Sequence, residues 1–301
     1  SVSKEGGSGH ACGHHLFGAG SAGAAIAVKE WLERTGTPGT IQFFGTPAEE
    51  GGSGKVYMVR AGLFDDVDTV IHWHPSSVNA ADSASTLANR SAKFTFSGVS
   101  SHAASAPDRG RSALDAVEAM NFMVNLLREH VPTSTRLHYV ITNGGSAPNV
   151  VPNTAQSFYY VRHPNETTLR EIWDRVMATA EAAAVGTGTS MSYEIIHGNY
   201  SVLPNDTLAK VMHAKLSSVG GVEYSEADEV FAAEISKTLP TGTYTKGRAS
   251  KIKPFETGQR GNGSTDVGDV SWTVPTVGMN TATWVPGTGA HTLSLIHISE
   301  P

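Results

Sequence analysis

Residues 92–96 read AKFTF. Ala92, Phe94 and Phe96 alternate with Lys93 and Thr95, the period of two that marks a strand with one buried face and one wetted face. Working outward, residues 111–129 set Leu114, Val117, Met120, Val124 and Leu127 at helical spacing on one side. Residues 137–142 and 156–162 have strand character, residues 166–185 suit a second helix, and residues 191–196 suit a last strand. The order β-α-β-β-α-β is the split ferredoxin-like arrangement. It predicts a small unit over residues 90–198, set between two segments of a larger one.

That larger unit has a different texture. Small and apolar residues over 24–34 suit a helix, TGTPGT at 35–40 breaks it, and IQFF at 41–44 looks like a strand. Residues 55–61 suit a helix, and residues 67–72 form another apolar run of strand length. Helix, strand, helix, strand predicts an α/β segment with a mixed or parallel sheet covered by helices. This segment spans residues 1–89 and resumes over 199–292, where GQRGNGSTDVGDVSW (258–272) and TATWVPGTGAHT (281–292) are the loops richest in polar groups. There is no internal repeat.

The chain has 301 residues, enough for about two ordinary domains. With 17% charged and 39% hydrophobic residues it is neither disordered nor fibrous. A net charge of −6 and no run of Lys or Arg exclude a phosphate-tracking surface for nucleic acid or an anionic membrane, so small polar solutes are the expected partners. No apolar stretch approaches the roughly 20 residues that span a bilayer. The opening SVSKEGGSGH has no signal-peptide core and no initiator Met, and looks like a cut end. A single cysteine permits no internal disulfide and suits a cytoplasmic protein.

Chemistry concentrates in a few stretches. GHACGHHLFGAG (9–20) holds the only cysteine and three of the thirteen histidines, with little aliphatic surface to bury. Metal-type ligands also occur as Glu49 and Glu50 in GTPAEEGG, His72 and His74 in IHWHPS, and His291 in GTGAHT. A thiolate, imidazoles and a carboxylate suit zinc, manganese or cobalt better than calcium or magnesium. Adjacent glutamates in an extended or tightly turned backbone point apart, so one can bind metal while the other handles a proton.

In order, HACGHH, GTPAEEGGSGK, IHWHP, GVSSHAASAP, NVVP and STDVGDVS resemble the motifs of the M20 metallopeptidase family, in particular its amidohydrolase branch. The resemblance runs from about Gly9 to Thr292. It implies a zinc-peptidase-like mixed-sheet domain with an inserted lid that dimerises, with a like subunit or a sister one. It also implies two divalent cations, manganese, zinc or cobalt, held by Cys12, His14, Glu50, His72 and His291. Of the two histidines in IHWHP, the family's ligand stands three residues before the proline, which selects His72. By the same likeness Glu49 is the general base, His102 reaches a partner's active site to steady an oxyanion, and Asn149 and Arg162 hold a substrate carboxylate or carbonyl. The implied reaction is metal-assisted cleavage of the amide of an N-acyl or aminobenzoyl amino acid. A non-catalytic, metal-bound dimerising subunit is the alternative.

The family's pattern is not followed everywhere. His15 stands where most relatives have Asp or Asn, and the chain begins just before the first ligand motif. After His291 and Thr292 the likeness stops, and LSLIHISEP (293–301) looks foreign, like an adapter read-through. Gly18, Gly20 and Gly23 spell the dinucleotide fingerprint, but no hydrophobic strand precedes them, so close helix packing explains them better. A cysteine hydrolase built on Cys12 would leave Glu49, Glu50, His72 and His291 without work.

Overall fold

A computed structural model of the chain describes residues 13–239 and 244–288. β3 (Ala88–Ser97), which contains AKFTF, lies between β5 (Thr154–His163) and β6 (Ser190–Asn199), with β4 (Arg136–Asn143) outside β5. All three pairings are antiparallel. Two helices, α3 (Ala113–Leu127) and α4 (Glu166–Thr187), contribute most of the remaining core residues that pack with this sheet. Phe94 and Phe96 are fully buried among them, each contributing about 2–3 kcal/mol by leaving water.

Local signals set these boundaries. The Ser112 side chain accepts the Asp115 N–H to start α3, and Asn165 accepts the Thr168 N–H to start α4. Gly188, at φ 64°, ends α4 in a conformation that side chains with a Cβ resist. Val117, Met120, Val124 and Leu127 are buried as their spacing predicts, with Leu114 at the margin. The one polar residue of that stripe, Asn121, accepts a hydrogen bond from the Tyr159 hydroxyl and is thereby satisfied inside the core.

The second sheet has three strands in the order β1-β7-β2. β1 (Val70–Ser76) runs parallel to β7 (Thr276–Ala282), and β2 (Ala80–Asp82) runs antiparallel to it. Around it lie α1 (His14–Thr35), α2 (Gly54–Arg60), α5 (Asp206–Val219), α6 (Glu226–Ser236) and the short α7 (Val267–Ser271). Phe64, Val270 and Val274 form a small core here. No helix among the described residues is long and apolar enough to cross a membrane.

Three expectations need correction. IQFF forms no strand: Ile41 and Phe43 are 45% and 54% exposed, and only Phe44 packs inward, its ring 4.9 Å from that of Phe64. A strand needs a neighbour for its peptide groups, and among the described residues none runs beside 41–44. The apolar run at 67–72 yields a strand shifted to Val70–Ser76, because pairing starts where β7 starts, at Val70 opposite Thr276. It runs through Pro75, which an edge strand tolerates. Finally, the helix expected over residues 24–34 begins ten residues earlier, with HHLFGAG forming the first turns of α1 (His14–Thr35). Its Gly20 lies against the Trp73 indole, where a Cβ would come within 2.8 Å of the ring, and Trp73 Nε1 donates to Ser21 Oγ at 3.2 Å.

Candidate functional site

Glu49 and Glu50 sit on a tight turn between α1 and α2. Ala48 and Ser53, which flank the glutamates and the following glycines, both have positive φ, 59° and 51°, a strained conformation for residues with a Cβ. The turn is tied down from afar. Lys55, on the first turn of α2, reaches Asp266 Oδ1 with its ammonium at 2.9 Å and Asp266 Oδ2 with its backbone N–H at 2.9 Å. The Asp266 side chain is fully buried and that of Lys55 is 13% exposed. Thr265, the residue before Asp266, hydrogen-bonds the Glu49 side chain. The Asn199 side chain, at the end of β6, donates to Thr265 O at 3.1 Å and brings the four-stranded sheet to the same place.

The turn meets the start of α1. His14 Nε2 lies 3.5 Å from Glu50 Oε1, and one ligand atom from each of His14, Glu49 and Glu50 falls within 4.8 Å of the others. An imidazole and two carboxylates that converge so closely can hold a divalent cation. Burial pushes the Glu49 carboxyl above its usual range; the Thr265 hydrogen bond opposes this, while Glu50 and Asp266 add to it. A carboxyl raised in this way takes up a proton more readily than an exposed glutamate does.

His72 lies on β1 opposite Gly278 of β7, the same residue that Asp82 faces from β2. A Cβ at Gly278 would stand 2.6 Å from the His72 ring, so only glycine leaves room for the imidazole. Burial pushes His72 down to about 4, with Asp82 opposing and Lys55 and His74 assisting, which keeps the ring neutral as a metal ligand must be. His72 is not in the tight group with His14, Glu49 and Glu50. The ring of His74, two residues on along β1, lies 6.1 Å from that of His14. Cys12 and His291 lie outside the described residues.

Arg162 joins the site from the end of β5. A small polar cleft is lined by Glu49, Glu50, Asn89, Tyr160, Arg162 and His197, together with Asn199 and residues 264–266. His102 and Asn149 do not line it. They neighbour each other at a different corner, where Ala103 N–H donates to Asn149 O at 3.0 Å and His102 bridges Val150. His102 Nδ1 accepts the N–H groups of Ala104 and Ser105, both at 3.2 Å, which stabilises its own turn.

Sequence reasoning misses Lys55, Asp266, Asn89, His197 and Ser264. Lys55 follows the Glu pair in EEGGSGK, and Ser264 and Asp266 stand in a loop already notable for polarity, so their neighbourhood is visible though their pairing is not. His197 and Asn89 are single polar residues at strand ends and leave no periodic trace.

Comparison with known proteins identifies the family. Residues 1–243 match the sequence model for peptidase family M20/M25/M40. The chain is 41% identical to a p-aminobenzoyl-glutamate hydrolase subunit of Escherichia coli, over 96% of this chain and 65% of that protein. It is 33% identical to Xaa-Arg dipeptidase of Mus musculus, over 82% of this chain and 56% of that protein. It thus spans somewhat under two thirds of the length of these relatives. A crystal structure from methicillin resistant Staphylococcus aureus, described as an aminohydrolase, superposes with a TM-score of 0.55 at 15% identity, covering 84% of this chain and 62% of that one. At that identity the likeness speaks for the fold alone.

Proposed function

From the premise that this chain belongs to peptidase family M20/M25/M40, we propose that it is the larger part of a metal-dependent amidohydrolase acting on N-acyl or aminobenzoyl amino acids. The observation that carries this reading is the convergence of His14, Glu49 and Glu50, with Glu49 desolvated and held by Thr265. Two divalent cations, manganese, zinc or cobalt, would be held by His14 and Glu50 with Cys12, His72 and His291. When bound, such cations polarise an amide carbonyl and acidify water.

The chain's own groups do the rest. Glu49 accepts the proton of the attacking water and returns it to the departing nitrogen as the C–N bond breaks. Its raised affinity for protons favours the first of these transfers, and the Lys55–Asp266 pair fixes the turn that aims it. Arg162, in the cleft beside Glu50, receives a substrate carboxylate. His102 and Asn149 share one corner, so they would approach the substrate together, either across a dimer formed by the 90–198 unit or on its closure. The partner would be a second copy or a sister chain, as the multi-subunit make-up implied by the name of one relative suggests. A lone cysteine fits a reducing cytoplasm.

The test is metal analysis together with hydrolysis of N-benzoyl and aminobenzoyl amino acids, with manganese or zinc added. Glu49→Gln should keep its metal and lose about 10²- to 10⁴-fold in turnover. Absence of turnover from the metal-loaded parent would dismiss the enzyme and leave a non-catalytic, metal-bound subunit in its place.

A further inference from the structure

Ser53 closes the glutamate turn and stands at the head of α2, with φ 51° and no bond from its side chain to the helix. A serine in that position ordinarily gives its hydroxyl to the N–H of the second or third helical residue. Here both are served by others: the Lys55 N–H donates to Asp266 Oδ2 at 2.9 Å and the Val56 N–H to Ser53 O at 3.0 Å. The hydroxyl is thereby released, and it lies 3.3 Å from Nδ1 of His197, 144 positions away on β6. Ser53 is 3% and His197 8% exposed, so the contact is largely shut off from water.

The four-stranded sheet is shaped to aim His197 there. Ser91 stands opposite His197 and Ala92 opposite Ile195, so Ile196 is an extra residue, a β-bulge. Because side chains alternate between faces, that one residue turns His197 from the face covered by α3 and α4, where Tyr193 meets Phe94, to the other face. Ser91 Oγ donates to His197 O and accepts the His197 N–H, both at 3.3 Å. The Tyr160 ring meets the imidazole edge-on at 5.2 Å. With Asn89 and Arg162, His197 forms the row of cleft residues at the end of the sheet that meets the glutamate turn. A bulge, a buried hydrogen bond and a diverted cap thus converge on one contact between the sheet and the turn that carries Glu49 and Glu50. A left-handed φ at a residue with a Cβ costs stability, and such strain gathers where a site depends on it.

We infer that His197 is a positioning residue: through Ser53 it holds the glutamate turn so that Glu50 stays beside His14, 3.5 Å away, and Glu49 beside the cleft. The clasp joins the sheet to the turn, so the two move as one. It rests on the proposed function only for the chemical roles of Glu49 and Glu50.

The experiment measures zinc affinity of the full chain by competition with a chelating indicator, unfolding of the metal-free chain, and turnover of N-benzoyl-L-glutamate. Ser53→Ala and His197→Gln should each weaken zinc binding and lower kcat by about 10- to 100-fold, the usual effect of removing a group that orients a ligand, with KM within about threefold of the parent. His197→Asn, whose amide takes the place of Nδ1 whereas that of glutamine takes the place of Nε2, should restore most of both. The double variant should be no worse than either single one, because each removes the same bond. General damage would lower the melting midpoint in step and would not separate asparagine from glutamine. If alanine unfolds the chain, Ser53→Gly serves, since glycine accepts φ 51° without strain. Zinc affinity within about twofold of the parent in every folded variant, or losses that add in the double variant, overturns the clasp. Zinc affinity that follows the expected pattern in a chain without turnover keeps the clasp and removes the hydrolase reading, whereas turnover with zinc affinity and kcat untouched by every variant does the reverse. A parent that binds no zinc overturns both.

Discussion

Replacing Lys55 by Met leaves a carboxylate inside the protein with half its support. Asp266 is 1% exposed and takes two bonds of 2.9 Å, one from the Lys55 ammonium and one from the Lys55 backbone. Methionine preserves the second and deletes the first together with the positive charge. Breaking a buried pair from one side costs about 3–5 kcal/mol, since the remaining ion cannot recover its water. At about 2–4 °C per kcal/mol for a chain somewhat under this size, the midpoint of melting should fall by roughly 6–20 °C. Asp266→Asn is milder, about 1–2 kcal/mol, because the amide oxygen still accepts the backbone N–H and the ammonium, at 13% exposure, retains access to water. The double variant should therefore be less destabilised than the sum of the two, by roughly 1–3 kcal/mol. Urea denaturation of all four proteins at neutral pH reads these values. A Lys55→Met variant within about 1 kcal/mol of the parent, with the double variant additive, would show that the pair does not hold the two loops together.

Three further outcomes follow from the same geometry. The raised Glu49 carboxyl binds its proton more tightly folded than unfolded, so its contribution to stability is complete below the ordinary glutamate range and is lost as pH rises through the folded value. Glu49→Gln should accordingly be more stable than the parent at about pH 7 and equal to it near pH 3, read from urea midpoints. His72 has the opposite sign: with a folded value of about 4 against an ordinary 6.5, the metal-free chain keeps full stability above pH 6.5 and loses on the order of 2–3 kcal/mol as pH falls toward 4. His72→Gln should flatten that slope, and an unchanged slope would place the imidazole in water. Gly278→Ala puts a methyl 2.6 Å from that ring and should cost about 1–3 kcal/mol and weaken metal uptake, measured by unfolding and by metal titration.

How much of this is legible in the amino-acid order depends on whether a contact leaves a local pattern. The unit from β3 to β6 does: AKFTF alternates, α3 repeats its apolar residues every three or four positions, and Ser112 and Asn165 mark the helix starts. IQFF has strand character too, yet its exposed Ile41 and Phe43 show that a strand pattern without a neighbouring strand yields none. Within the site, the Glu pair is visible because glycine and proline bracket it, and His14 because it stands beside the cysteine. The Lys55–Asp266 pair and the row of Asn89, Arg162 and His197 are not, because each depends on which strands lie side by side. His72 and His74 illustrate the difference. The family resemblance selects the first, and the edge-on approach of the second to the His14 ring, at 6.1 Å, leaves no sequence pattern.

The Lys55–Asp266 pair joins residues 211 positions apart, and β1 meets its partner β7 only at Thr276. At ribosomal speeds of about 5–20 residues per second, roughly 10–40 s separate the emergence of the lysine from that of the aspartate. Throughout that interval the glutamate turn is without its anchor, whereas β3 to β6 have all emerged by Asn199, well before Asp266. The order of synthesis thus makes the anchoring of the glutamate turn a step that follows emergence of Asp266, and a ribosome stalled after β6 would present that turn without its tether.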